Sequence, residues 1–139
     1  MDEEGGDDEP GMVMPTKRLE DIMNSIETKN PTVINLDACI KSHDIEILRY
    51  ILERIPRTVR TVSLRFNNLG SAGCEIILEW LHSNESVLIL YLMGSLIDIK
   101  GRDAIESAWS KRFKGHRTEN MGYTFIRVDP SITPLLSLS

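Results

Sequence analysis

Cysteine is scarce in this chain: 139 residues hold two, Cys39 and Cys74. Two are too few for a disulfide framework, and their spacing is not that of metal ligands. Long apolar runs are lacking as well. The longest, Val87 to Met93, has seven residues, against about twenty for a membrane helix. Bases are missing from the first ten positions, where Asp2, Glu3, Glu4, Asp7, Asp8 and Glu9 gather. An acidic, glycine-bearing start is the opposite of a signal peptide's basic flank and apolar core. These absences predict an intracellular, cytoplasmic and reduced protein with no membrane span.

What is present fits one soluble domain. Hydrophobic residues make up 41% and charged residues 27%, an ordinary globular balance. The net charge of −5 is unevenly spread: beyond residue 10, fifteen acids face sixteen bases, leaving +1. A nearly neutral body gives no whole-domain electrostatic case for nucleic acid or an anionic membrane. Residues 1–15 carry too little apolar surface to offset ordering and read as an acidic disordered tail. The domain then runs from 16 to 139. It opens on a helix over 16–29, where Leu19, Ile22, Met23 and Ile26 recur three and four apart.

An internal repeat carries most of the information. At a shift of 28 positions Leu90 matches Val62, Leu92 matches Leu64, Ser95 matches Asn67, Ile97 matches Leu69 and Gly101 matches Gly73. A further shift of 28 reaches Ile34, Leu36, Cys39, Lys41 and Ile45. Three ungapped copies at one period mark a stacked architecture. Alternation such as Val62-Ser63-Leu64 predicts a short strand with one buried face. Asn67 suits the turn out of that strand, and Ser42, Gly70 and Asp98 suit a helix N-cap. Apolar stripes follow: Ile45, Leu48, Leu52 and Ile55, then Ile77 and Leu81, then Ile105 and Trp109. A strand–turn–helix unit of this size buries its apolar surface by stacking on copies of itself.

Val62-Ser-Leu64-Arg-Phe-Asn67-Asn-Leu69-Gly70-Ser-Ala-Gly73, with Ile77, Leu81 and Asn84 beyond, resembles a leucine-rich repeat of the ribonuclease-inhibitor-like class. The third copy follows the pattern with Ser95 and Ile97. The first departs from it: Lys41 replaces a leucine, and Arg49 and Glu53 stand at the usual helical-leucine positions. The resemblance covers about residues 30–113, with repeats at about 30–57, 58–85 and 86–113. It implies an α/β solenoid, with a curved parallel sheet of three to four strands on the inner face and helices on the outer. That fold hosts many different partners, so the resemblance names none.

Beyond the third copy the period breaks. Lys111 to Gly122 reads as a polar loop, and Tyr123 to Ser131 as a fourth, edge strand, with loop and strand closing the domain over 114–139. Ile126 and Val128 align there with Leu90 and Leu92, and Pro130 and Pro134 suit a strand that ends the sheet.

Catalysis is not expected. His43, His82 and His116 share no nucleophile, zinc or paired-acid pattern, and no phosphate-cradling glycine loop is present. No metal or cofactor is expected either. The inner strand face is the expected working surface, because residues between the buried ones point to it. Stacked across the copies, its columns hold Asn35, Ser63, Tyr91 and Arg127; Asp37, Arg65, Met93 and Asp129; and Val33, Thr61, Ile89 and Phe125. Aromatics, Met and Arg on a rigid sheet have the composition of a protein–protein interface. The sequence therefore predicts a non-catalytic module that holds a protein partner. Three other readings stay open. One is packing of this face's apolar residues against the C-terminal segment Ile132 to Leu138, which would make the face internal. The others are a structural subunit of a larger protein or ribonucleoprotein assembly, and an anion or nucleic-acid contact through Lys111, Arg112, Lys114 and Arg117.

Overall fold

The computed structural model describes residues 17–128. In chain order it contains α1 (Lys17–Thr28), β1 (Val33–Asn35), a 3-10 turn (Ser42–Asp44), α2 (Ile45–Glu53), β2 (Thr61–Ser63), α3 (Gly70–Ser83), β3 (Ile89–Tyr91), α4 (Ile99–Arg112), β4 (Thr118–Met121) and β5 (Thr124–Arg127). The acidic segment 1–15 lies outside the described residues. The strands form one sheet in the order β1-β2-β3-β5-β4.

The 28-residue period is a geometric register. Val33, Thr61 and Ile89 stand side by side in parallel strands, as do Ile34, Val62 and Leu90, and Asn35, Ser63 and Tyr91. The strands begin one residue earlier than the sequence pattern predicts. The backbone ladder nevertheless runs on past them: the Leu36 N–H donates to Ser63 O at 2.8 Å, and the Leu64 N–H to Tyr91 O at 2.9 Å. Each copy then turns through one left-handed residue in the same slot, at Ala38, Phe66 and Gly94.

Helices cover one side of the sheet, α2 packing on α3 and α3 on α4. Between sheet and helices lie Leu36, Leu64 and Leu92, with Ile77, Leu81, Ile105 and Trp109, all fully or almost fully buried. Gly73 and Gly101 occupy one repeat position, and both are tightly enclosed. A Cβ on Gly101 would lie 3.0 Å from Cys74 Sγ and 2.8 Å from Ile97 Cγ2, so side chains there would push neighbouring helices apart. In α2 the buried stripe is Ile47, Leu48, Ile51 and Leu52, which leaves Ile45 only partly buried and puts Ile55 beyond the helix end. Arg49, at a usual leucine position, faces out and bridges to Glu46 and Glu79.

Asn67 ties the first two copies together. Its side-chain carbonyl accepts the Ile40 N–H at 2.7 Å, while Nδ2 donates to Leu36 O at 3.0 Å and Leu64 O at 2.9 Å. The third copy has Ser95 in this slot, buried and with its Oγ unpaired. Asp98 caps α4 as its residue type predicts, accepting the Gly101 N–H at 2.8 Å.

The C-terminal part corrects the expected architecture. The sheet is mixed: β5 runs antiparallel to β3, and β4 runs antiparallel to β5 and forms the edge. Part of the expected polar loop is therefore a strand of its own, joined to β5 by a tight turn at Gly122. Arg102 on α4 fastens this hairpin, donating to Gly122 O at 2.6 Å and also to the Asn120 side chain. Tyr123 adds a bond from its hydroxyl to Ile97 O at 2.7 Å.

Candidate partner-binding face

The inner face brings together most of the residues expected there. Asn35, Ser63 and Tyr91 form one row across β1, β2 and β3. Just beyond the strands, Asp37 accepts the Arg65 backbone N–H at 2.9 Å, Arg65 Nε at 3.0 Å and Arg65 Nη2 at 2.8 Å, and the Ser63 hydroxyl also donates to it. The Arg65 guanidinium carbon lies 5.5 Å from the centroid of the Tyr91 ring. On the β1 side Arg18 of α1 donates to Asp37 O at 2.8 Å and Asn35 Oδ1 at 3.0 Å. Arg18 thereby covers the open edge of the sheet at the carbonyls that a parallel neighbour would otherwise use. Ser63 is buried and Tyr91 half-buried, while Met93 is 55% exposed.

These contacts set the charge state of Asp37. Partial burial pushes its carboxyl up, but the hydrogen bonds from Ser63 and Arg65 and the Arg65 charge outweigh that, leaving it below its usual 3.8. A carboxyl whose folded pKa lies below the unfolded value stabilises the fold above that unfolded value. The contribution is lost as pH falls through the folded pKa. An NMR titration is therefore expected to place the Asp37 midpoint under 3.8, with Arg65→Ala moving it up. A wild-type midpoint at or above the ordinary aspartate value would mean that burial dominates and that the Arg65 bridge is not held in solution.

Three residues expected on this face are not among those that form it. β5 pairs Ile126 with Ile89, Phe125 with Leu90 and Thr124 with Tyr91. This register differs by one residue from the alignment of Ile126 with Leu90, and in a pleated sheet such a slip exchanges the two faces. Phe125 is consequently in the core, 6.4 Å from Trp109 between ring centroids. Arg127 lies on the helix side, its guanidinium 5.5 Å over the Phe113 ring. Ile126 and Thr124 take the inner-face places, and both are buried. Asp129 and the segment Ile132 to Leu138 lie outside the described residues.

The basic stretch does not converge on one site. Arg112 is largely internal: it donates to Asn84 O at 3.0 and 2.6 Å, to Asn84 Oδ1 at 2.9 Å and to Val87 O at 3.1 Å. It also stacks over Trp109 and Phe113. Burial lowers its pKa to about 10. Arg117 is bonded to Glu119, and Lys111 and Lys114 are exposed.

Sequence reasoning missed an apolar border to the inner face. Phe66 is 60% exposed, and Leu96 and Ile99 are exposed as well. Phe66 and Leu96 both hold left-handed backbone, at φ 62°, an uncommon conformation for large side chains. The Phe66 N–H donates to Met93 O at 3.0 Å, and its ring lies against Gly94, where a Cβ would come within 2.7 Å of it. A large apolar residue in the turn slot was the available signal.

The other chemically interesting groups are quiet. Cys39 and Cys74 are buried, and burial raises both thiol pKa values, which disfavours the reactive thiolate. His43, His82 and His116 are exposed and far apart in the chain. Among the described residues no group of His, Cys, Asp and Glu could hold a metal ion, and no helix is long and apolar enough to cross a membrane. No family model, curated protein or solved structure matches the chain.

Proposed function

We propose that the chain is a short leucine-rich-repeat module that acts without catalysis and holds a protein partner on its inner sheet face. The observation that carries this reading is the braced row Asp37–Arg65–Tyr91, with Met93 and Phe66 exposed beside it. Side chains already ordered on a rigid strand lose little entropy on binding, so they serve as anchors. The exposed apolar border adds area to desolvate around them. Unpaired Cys39 and Cys74 suit a reducing, cytoplasmic setting. Arg112 is taken up by bonds within the fold, which leaves only Lys111, Lys114 and Arg117 of the basic stretch exposed for a nucleic-acid contact, a weaker reading than a protein partner.

Photo-crosslinking tests the assignment. A benzophenone side chain at position 93 is expected to trap a protein partner, whereas one at the exposed position of Ser107 on α4 is expected to trap none. Adducts formed from position 107 and not from 93 would place the contact on the helices and refute the inner-face reading.

A further inference from the structure

We infer that the cleft between α2 and α3, on the helix side of the molecule, is a second binding site and that its ligand is an acidic peptide segment carrying a large apolar side chain. The cleft has a volume of about 720 Å³, within the range of about 300–1,000 Å³ usual for ligand sites. Leu52, Ile55, Trp80 and Leu88 supply its apolar lining, and Arg57 and Arg60 stand on the loop at its mouth.

Charge selects the ligand. The cleft also contains Glu53, Glu79 and Glu85: Glu79 is bonded to Arg49, Glu53 stands 3.8 Å from Arg54, and Glu85 is exposed. Arg49, Arg57, Arg60 and Arg127 give the lining four arginines against these three carboxylates. Arg57 and Arg60 are exposed and have no carboxylate partner among the described residues. Among the described residues the side-chain bonds of Arg60 go to backbone carbonyls, Arg57 O and Val59 O, which holds its guanidinium in place without neutralising it. Two such arginines on one short loop match carboxylates a few residues apart on an extended chain.

The lining adds an apolar wall. Trp80 is 7% exposed and lines the cleft with Leu88, while its indole N–H is fully buried and out of a ligand's reach. The carboxyl ends of α2 and α3 also converge here, at Glu53 and Ser83. Their partial negative charge disfavours a compact dianion, whereas separated carboxylates can sit at the arginines and leave the helix ends alone. The peptide's apolar side chain would occupy the space over Trp80 and Leu88.

Fluorescence anisotropy with the full chain and a labelled peptide, Glu-Glu-Phe-Glu-Glu, tests the site. Saturable binding is expected. It should weaken by about tenfold or more in the Arg57→Glu, Arg60→Glu double variant, as loss of two charge-assisted contacts implies. Exchange of the peptide's glutamates for glutamine, or of its phenylalanine for alanine, should weaken it as well. Lys111→Glu with Lys114→Glu, a change of equal charge on exposed residues elsewhere, should leave the affinity unchanged, as should Tyr91→Ala on the inner face. Failure of the peptide to bind, or equal losses in the arginine and lysine double variants, would overturn the proposal. Inorganic phosphate displacing the peptide at equal concentration would overturn the peptide assignment in favour of a free anion.

Discussion

Leu64→Ala is expected to lower unfolding free energy by roughly 2–5 kcal/mol, the range for deleting a buried leucine side chain. Leu64 is fully buried and belongs to the row Leu36, Leu64, Leu92, one leucine from each copy. Its neighbours cannot collapse into the space, because backbone bonds fix the strands on either side: Leu36 N–H to Ser63 O at 2.8 Å and Leu64 N–H to Tyr91 O at 2.9 Å. A cavity at the middle of three stacked units therefore removes contacts with both flanking copies. Chemical denaturation of purified protein measures the effect, and a loss well under 1 kcal/mol would contradict the stacked core.

Asn67→Ala is expected to cost about 3 kcal/mol, since each buried polar group left without a partner costs about 1–3 kcal/mol. Truncation strands the Ile40 N–H and Leu64 O at a site that water reaches poorly, while Leu36 O loses one donor and keeps the Cys39 N–H at 3.1 Å. Ser95→Ala provides the internal comparison. The same slot one copy later holds a hydroxyl with no partner, so its removal should change stability far less. Equal costs at the two positions, measured by the same denaturation, would show that Asn67 is not the bridge between copies.

The repeated part of the fold was legible because its physical demands recur in sequence. Each copy needs a buried residue at the position of Ile34, Val62 and Leu90 and a helix behind it, and the second and third copies share a tight glycine at Gly73 and Gly101. The hairpin was not legible in the same way. Alternation of side chains reads alike in both strand directions, so Tyr123 to Val128 gave the existence of β5 without its antiparallel sense. The register was not legible either: with Ile126 set opposite Leu90, Phe125 and Arg127 were expected on the inner face, and the observed pairing of Phe125 with Leu90 places them on the helix side. β4 has the residues Thr-Glu-Asn-Met, too polar to resemble a buried strand. It is held instead by a side-chain network from Arg102. Arg112 looked solvated inside a basic run, yet it stands 28 positions after Asn84 and bonds to it.

The candidate face was half legible. Asn35, Asp37, Ser63, Arg65, Tyr91 and Met93 followed directly from the repeat register, and the structure groups them. Phe66 and Leu96 escaped notice because the turn residues after a strand are ordinarily polar or glycine. Their exposure in left-handed backbone is visible only in three dimensions.

The central claim is that the inner face binds a protein and is not itself part of the core. Its most direct test is the affinity of Tyr91→Ala for the protein captured at position 93, with the thermal midpoint taken on the same samples. Binding is expected to weaken by about 2 kcal/mol or more, roughly thirtyfold, as for a hot-spot truncation. The midpoint should fall less than it does for Leu64→Ala. Loss of folding in Tyr91→Ala, with unchanged affinity per folded molecule, would contradict the claim and make the inner face an internal surface.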